Sequence, residues 1–128
     1  IKISGKVDRI ELRNNRVRII DYKTGKVEQK DVTLRDWNGL TSDIKNEKII
    51  QVLAYAFMFE KDANHHEIEA GIISFKNLKS GFLPFNFKQD KEVIDTISAE
   101  ILENYIEQIV ILLQEIFNTE IPFEEKIN

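Results

Sequence analysis

The stretch that decides the fold is KVDRIELRNNRVRIIDYKTG, residues 6–25, in which a pair of asparagines separates two segments rich in β-branched residues. Asparagine tolerates the left-handed backbone that a two-residue hairpin turn requires. We therefore predict one β-strand over 2–11, a tight turn at Asn14-Asn15 and a second strand over 16–24. These two strands form an antiparallel hairpin.

The register of this hairpin places two acidic side chains face to face. If Arg13 pairs with Arg16 across the turn, Asp8 lies opposite Asp21, and both share the face formed by alternate residues. The other members of that face are apolar: Ile10, Leu12, Val17 and Ile19. Like charges directly opposite each other destabilise a sheet. Packing therefore does not explain why two aspartates face each other.

A metal site is one explanation. Cross-strand carboxylates have Cβ atoms about 5 Å apart and can share a divalent cation, and Mg²⁺ prefers hard oxygen ligands of this kind. Lys23 follows on the face of Asp21, where its amine can assist a water or a phosphate, and the backbone carbonyl of Tyr22 is a natural third ligand. The alternative is a surface ion-pair cluster of Asp8, Asp21, Lys6 and Lys23.

The composition is that of an ordinary globular domain. The chain has 128 residues, of which 42% are hydrophobic and 31% charged, and it contains no cysteine. This length is near that of one domain with a single core. No apolar run reaches the roughly 18 residues of a membrane span and no leader-like start is present, so we expect a cytoplasmic protein with no membrane partner. The lack of cysteine agrees with a reducing compartment.

Charge is unevenly distributed along the chain. The net charge of −4 argues against a general basic surface for nucleic acid, although lysine and arginine are concentrated in the first 30 residues, around the aspartate pair. The chain opens at Ile1 within a strand pattern and ends at Asn128 after no clear element. We therefore expect residues 1–128 to be a single domain cut from a longer protein.

The rest of the chain alternates strand and helix patterns. Residues 26–32 either prolong the second strand or form a third, and 33–46 are predicted to be a loop. The further predicted elements are a helix over 44–62 capped by Ser42 or Asp43, strands over 67–76 and 82–87, and an amphipathic helix over 91–118 capped by Asp90. This order predicts the α/β class, with a mixed central β-sheet flanked by helices.

Two polar residues, Gln51 and Tyr55, lie within the apolar stretch of the first predicted helix, residues 49–59. Gln51 and Tyr55 are four residues apart and therefore share one helical face, where buried polar groups need hydrogen-bond partners. They are either a satisfied pair that anchors the helix to the sheet or part of a functional site.

Three motifs together resemble those of the RecB-like branch of the PD-(D/E)XK nuclease superfamily. They are Gly-x-x-Asp-Arg-Ile at 5–10, Ile-Ile-Asp-Tyr-Lys-Thr-Gly at 19–25, and Gln-x-x-x-Tyr at 51–55. The resemblance implies a restriction-endonuclease-like core in which Asp8 and Asp21 bind the metal and Lys23 is catalytic. It also implies that Gln51 and Tyr55 support the active site or contact the DNA.

The resemblance also implies a function and partners. It predicts a Mg²⁺-dependent DNA nuclease, with Mn²⁺ as a substitute, of the exonuclease type found in repair and recombination proteins that work with a helicase domain or subunit. Relatives carry an upstream helix with a further acid or histidine ligand, which this sequence does not contain, and an iron-sulfur cluster is expected only outside residues 1–128. The alternatives are an inactive nuclease-fold module that binds DNA or a partner subunit, and a structural domain with chance motifs.

Other candidate residues favour structural roles. His65 and His66 lie in a polar turn without an acid or cysteine at ligand spacing. Trp37 could stack on an unpaired base, although a side chain folded onto the domain is the simpler interpretation. The aromatic cluster Phe82, Phe85 and Phe87 is expected to belong to the core.

Overall fold

The computed structural model describes residues 8–63 and 66–118. Its helices and strands follow the chain in this order: β1 (Arg9–Arg13), β2 (Arg16–Lys23), β3 (Thr33–Leu34), α1 (Glu47–Phe59), β4 (Glu67–Ser74), β5 (Phe82–Pro84), β6 (Asn86–Gln89), β7 (Glu92–Ile94) and α2 (Ala99–Asn118). Short 3₁₀ turns connect several of them. The fold is therefore a mixed α/β arrangement, as the sequence predicts.

The principal sheet has four strands in the order β1-β2-β4-β5. Strands β1 and β2 form the antiparallel hairpin, β2 and β4 run parallel, and β5 returns antiparallel to β4. Parallel strands need a crossover connection, and α1 lies in the segment between β2 and β4. The C-terminal ends of β2 and β4 consequently lie side by side at one end of the sheet.

The predicted register of the hairpin is confirmed. Arg13 pairs with Arg16 and Ile10 with Ile19, while Asn14 and Asn15 have φ values of 51° and 63°. Both turn residues are thus left-handed, as a two-residue hairpin turn demands. The strand predicted over 2–11 is seen from Arg9 onward, and its first part lies outside the described residues.

The core forms between this sheet and α1. The helix buries six residues: Ile49, Val52, Leu53, Ala54, Tyr55 and Ala56. They pack with the α1-facing residues of the central strands, among them Ile19, Ala70 and Ile72, which are fully buried. Helix α2 adds Tyr105, whose hydroxyl donates to the Ile50 carbonyl at 3.3 Å. Helix α1, which is apolar nearly all round in its middle, is thus buried on several sides.

The last predicted helix begins later than the sequence indicates. Residues 92–94 form β7, which pairs with β6 in a second, three-stranded sheet of order β3-β6-β7. Asp90, predicted as a helix cap, has a φ of 56° and lies in the turn between these strands. The apolar residues Val93 and Ile94 fit a strand as well as a helix, and helix α2 begins at Ala99.

Four other predicted segments differ from the structure. The strand predicted over 82–87 is divided at Phe85 between the two sheets, because Pro84 ends β5. Residues 29–32 form a 3₁₀ turn instead of a strand, and the predicted loop at 33–46 contains β3 and two further 3₁₀ turns. The helix predicted over 44–62 is α-helical from Glu47 to Phe59 with a 3₁₀ turn at each end.

Gly71 allows strands β4 and β5 to approach closely. A Cβ atom at this position would collide with the Leu83 carbonyl oxygen and would lie 2.7 Å from the Cα of Pro84. The backbone of Phe85, just beyond β5, donates to the Ala70 carbonyl at 2.7 Å. Glycine is therefore required here by space.

Within residues 8–63 and 66–118, neither helix is long and apolar enough to cross a membrane.

Candidate active site

The candidate site lies where β2 ends beside β4. Asp21 and Lys23 occupy alternate positions near the end of β2, so both face the side of the sheet on which α1 packs. Helix α1 brings Gln51 and Tyr55 over the same place. The structure therefore brings together residues that lie up to 34 positions apart in the sequence.

Asp8 joins this group through the hairpin. Its Oδ2 accepts a hydrogen bond of 2.8 Å from the backbone N–H of Tyr22. The β1–β2 ladder ends with the pairing of Arg9 and Ile20, so Asp8 and Asp21 occupy the positions just beyond its last pair. Asp8 is exposed, whereas Asp21 is buried, so one carboxylate faces solvent and its neighbour faces the protein interior.

Asp21 is a buried acid in an unfavourable electrostatic position. It is only 5% exposed. Burial raises the pKa of its carboxyl group above the usual value, the Lys23 ammonium opposes this shift, and the Asp8 carboxylate adds to it. Perturbed acids of this kind concentrate at functional sites, although structural ion pairs also produce them.

Lys23 links Asp21 to the helix. Its Nζ lies 3.1 Å from Oδ2 of Asp21 and donates to Oε1 of Gln51 at 2.5 Å. The amide of Gln51 in turn donates to the Tyr55 hydroxyl at 3.1 Å. These contacts form a continuous polar chain, Asp21–Lys23–Gln51–Tyr55, that runs from the strand end into α1.

The charges of the site also affect Tyr55, at the far end of this polar chain. Burial raises the pKa of the Tyr55 hydroxyl, and the charge of Asp21 raises it further. Tyr55 is thus a neutral hydrogen-bonding group that holds the Gln51 amide. Gln51 and Tyr55 both have hydrogen-bond partners, as buried polar groups require. One partner of Gln51 is Lys23, the lysine of the second motif.

The donor set suits a hard divalent cation. Oδ2 of Asp21 is buried and accepts no hydrogen bond of good geometry, since the contact with Lys23 is an ion pair only. Residues 8–63 and 66–118 contain no group of three or more acidic, histidine or cysteine side chains that could hold a metal. Two carboxylates are nevertheless sufficient for Mg²⁺, which commonly binds one or two carboxylates together with waters and substrate phosphates.

Hydrogen bonds that the sequence analysis missed hold the chain after β2. The Ser74 hydroxyl donates to the Gly25 carbonyl at 2.6 Å, and the Asn77 amide donates to the Val27 carbonyl at 2.7 Å. The Asn77 side-chain oxygen also accepts from the Val27 N–H at 3.4 Å. Residues 25–27 are therefore fixed to residues 74–77 at the edge that carries the site.

A buried ion-pair group was also missed. Glu69 is 6% exposed and accepts from Arg16 at 3.0 Å and from Arg18 at 2.7 Å. The register opposes Glu11 to Arg18, but the side chain of Arg18 turns to Glu69 and Glu11 pairs with Arg9 at 2.9 Å. Parallel pairing of β2 with β4 creates these contacts, and no local sequence signal reports such a pairing.

The weaker candidates lie away from the site. Trp37 stacks on Phe87 with ring centroids 5.6 Å apart and contacts Phe85 at 6.5 Å, so it folds onto the domain. Phe85 is fully buried and Phe87 packs partly buried against the core, as predicted. Phe82 is only half-buried, with the Arg18 guanidinium 4.3 Å from its ring centroid, so it does not belong to the core. His66 Nδ1 lies 2.8 Å from the Ala63 carbonyl oxygen, and His65 lies outside the described residues.

The mixed α/β core with an aspartate and a lysine at the end of a central strand defines a restriction-endonuclease-like domain. A family model of the PD-(D/E)XK nuclease superfamily matches residues 1–127, so the chain belongs to this superfamily. Membership implies a hydrolase domain of the nuclease type. No curated protein and no solved structure shows significant similarity to the chain.

Proposed function

We propose that this chain is a Mg²⁺-dependent deoxyribonuclease domain of the RecB-like branch, acting as an exonuclease within a DNA repair or recombination protein. The observation that carries the proposal is the polar chain from Asp21 through Lys23 to Gln51 and Tyr55, with Asp8 on the neighbouring strand. Membership of the superfamily supports the same reaction class.

Each residue has a distinct role in this proposal. Asp8, Asp21 and the backbone carbonyl of Tyr22 hold the ion, which supplies Lewis-acid stabilisation of the phosphate charge and makes a water more acidic. Burial of Asp21 strengthens its attraction for a cation, because the surrounding dielectric is low. Lys23 donates to the phosphate or orients the attacking water.

Gln51 and Tyr55 position the lysine in this proposal. Lys23 has three N–H donors, of which one is given to Gln51, and its ammonium group also forms an ion pair with Asp21. A further N–H donor remains for the substrate. The Tyr55 hydroxyl fixes the orientation of the Gln51 amide, so that its oxygen faces the ammonium group.

A cleavage assay tests the proposal. The wild-type chain is incubated with end-labelled DNA and Mg²⁺, Mn²⁺ or a chelator, beside Lys23→Met and the control Lys45→Met, whose exposed side chain pairs with Asp43. We expect cleavage that needs the metal, a loss of about 100-fold or more in Lys23→Met, and little change in Lys45→Met. Equal activity of the two variants would exclude the proposed role of Lys23.

The alternative is a nuclease-fold module that only binds DNA or a partner subunit. The observation in its favour is that the described residues offer only two acidic side chains at the site. DNA binding without cleavage in either metal would support this alternative. Single-nucleotide products released progressively from the ends would instead support an exonuclease.

A further inference from the structure

A partly exposed aromatic pair lies on the reverse side of the strand that carries the candidate site. The rings of Tyr22 and Phe75 are stacked, with centroids 5.4 Å apart and an interplanar angle of 16°. Phe75 is 54% exposed. A large apolar ring left open to water on one side of a stack is a surface on which another flat ring can pack.

The pair is attached directly to the site. Tyr22 stands between Asp21 and Lys23 in the sequence, and its N–H donates to the Asp8 carboxylate at 2.8 Å. The Phe75 N–H donates to the Lys23 carbonyl at 2.9 Å, which extends the pairing of β2 with β4 by one residue. Both rings are therefore positioned by the backbone that positions the acids and the lysine.

One positive charge contacts the pair, and two others lie on neighbouring segments. The guanidinium of Arg9 lies 3.5 Å from the Tyr22 hydroxyl. Lys76 follows Phe75 and is exposed, and Lys26 is exposed in the segment that Ser74 and Asn77 hold against the same edge. Aromatic rings interleaved with basic side chains are the features with which proteins bind single-stranded nucleic acid.

We propose that Tyr22 and Phe75 form a stacking platform for an unpaired nucleobase of a strand whose phosphate lies at Lys23 in the candidate site. This inference rests on the proposed nuclease function and specifies its substrate as a single strand or a frayed end. Successive residues of β2 point to opposite faces of the sheet. A DNA strand with its phosphate at the candidate site therefore reaches Tyr22 only by passing around the C-terminal end of β2. A paired duplex keeps its bases stacked inside the helix and would first have to unpair.

Binding measurements in an Asp21→Asn background test the platform without cleavage. Fluorescence anisotropy compares a short single strand that cannot form hairpins, its blunt duplex, and the same strand with abasic residues. The variants are Phe75→Ala, Phe75→Leu, which keeps an apolar side chain without a ring, and Phe75→Trp. Leu78→Ala is the matched control, since Leu78 is a nearby apolar residue that is 59% exposed.

We expect Phe75→Ala and Phe75→Leu to weaken single-strand binding by about 5- to 100-fold, the range of one base–aromatic stack. Duplex binding should change less than about twofold. Phe75→Trp should keep the affinity of the Asp21→Asn protein, and the fluorescence of the introduced tryptophan should be quenched by the single strand. The abasic strand should bind the Asp21→Asn protein as weakly as the intact strand binds Phe75→Ala.

Other results would overturn the platform. Equal losses in Phe75→Ala and Leu78→Ala, equal losses for single strand and duplex, or an unchanged affinity for the abasic strand would each exclude it. Metal-dependent cleavage that needs Lys23 but not Phe75 would remove this inference and leave the proposed function intact. Ring-dependent single-strand binding without any cleavage would support the stacking platform and contradict the proposed nuclease function.

Discussion

Asp21 combines a buried position with a negative charge, and the two are in conflict. Burial and the neighbouring Asp8 raise the pKa of its carboxyl group, whereas only Lys23 favours ionisation. A raised pKa means that the folded protein disfavours the charged form relative to the unfolded chain. The acid is retained at a cost to stability, which is common for groups that serve a function.

This conflict predicts opposite effects of Asp21→Asn on stability and activity. We expect the free energy of unfolding at neutral pH without divalent ions to rise, because the amide removes a disfavoured charge. Metal-dependent cleavage should fall by about 100-fold or more. Urea unfolding and the cleavage assay measure the two effects.

The exposed Asp62→Asn serves as the control and should change neither quantity. A clear loss of stability in Asp21→Asn would show that the carboxylate is a structural partner of Lys23. The ion-pair interpretation of the site would then be preferred.

The polar chain on α1 predicts graded effects. Gln51→Met removes the acceptor of Lys23 and the donor to Tyr55, so we expect kcat to fall by about 10- to 100-fold with a smaller change in KM. Tyr55→Phe leaves the Lys23 contact in place and should lower kcat by less than about tenfold. Steady-state cleavage kinetics give both values. A larger effect of Tyr55→Phe than of Gln51→Met would contradict the order of positioning.

At the level of single elements, the hairpin could be predicted from sequence because its information is local. Two asparagines fix the turn, and the turn fixes the register from Arg13 back to Arg9. The placement of Gln51 on Lys23 required more, since the two residues meet only through packing of α1 on β2. The motif resemblance predicted this proximity, whereas hydrophobic periodicity alone favoured a core pair.

The beginning of α2 shows where periodicity is ambiguous. Val93, Ile94 and Ile97 fit a helical pattern, yet residues 92–94 pair with β6 and Ile97 donates its N–H to the Ile68 carbonyl at 2.7 Å. Tertiary pairing overrides a local pattern of this length. The same reason explains why the contacts of Glu69 and of Asn77 escaped prediction, because their partners lie about 50 residues away.

The close contact of β4 with β5 predicts a steric requirement at Gly71. We expect Gly71→Ala to lower the free energy of unfolding by about 1 to 3 kcal/mol, the usual cost of overpacking, because the new methyl group meets backbone atoms that cannot rotate away. Gly25→Ala is the control, since a Cβ there has nothing within 4 Å. Urea unfolding compares them. Equal stability of the two variants would show that β5 can move aside.

At the scale of the whole molecule, α2 is joined to α1 through a buried phenol. Tyr105 is 1% exposed, donates to the Ile50 carbonyl, and has its pKa raised to about 12 by burial. The folded protein therefore holds this proton more tightly than the unfolded chain, whose tyrosines titrate near 10. The resulting stabilisation is complete below about pH 10 and is lost as the pH rises through about 12.

Tyr105→Phe should reduce this alkaline sensitivity. The wild-type chain should lose about 2 to 3 kcal/mol from Tyr105 alone between about pH 10 and pH 12, and the variant should lack that part of the decrease. At neutral pH the variant should be less stable by about 1 kcal/mol, because one hydrogen bond is removed. Urea unfolding at several alkaline pH values measures the difference. Parallel pH profiles would show that the phenol is solvated in the folded state.

The most direct test of the candidate site is the position of a bound ion. Crystals of the chain soaked with Mn²⁺ would be measured for anomalous scattering. We predict a peak between Asp8 and Asp21, about 2.1 Å from a carboxylate oxygen of each, which Asp21→Asn abolishes. An anomalous map without a peak between these two carboxylates, in crystals that bind Mn²⁺ elsewhere, would contradict the metal-dependent nuclease site.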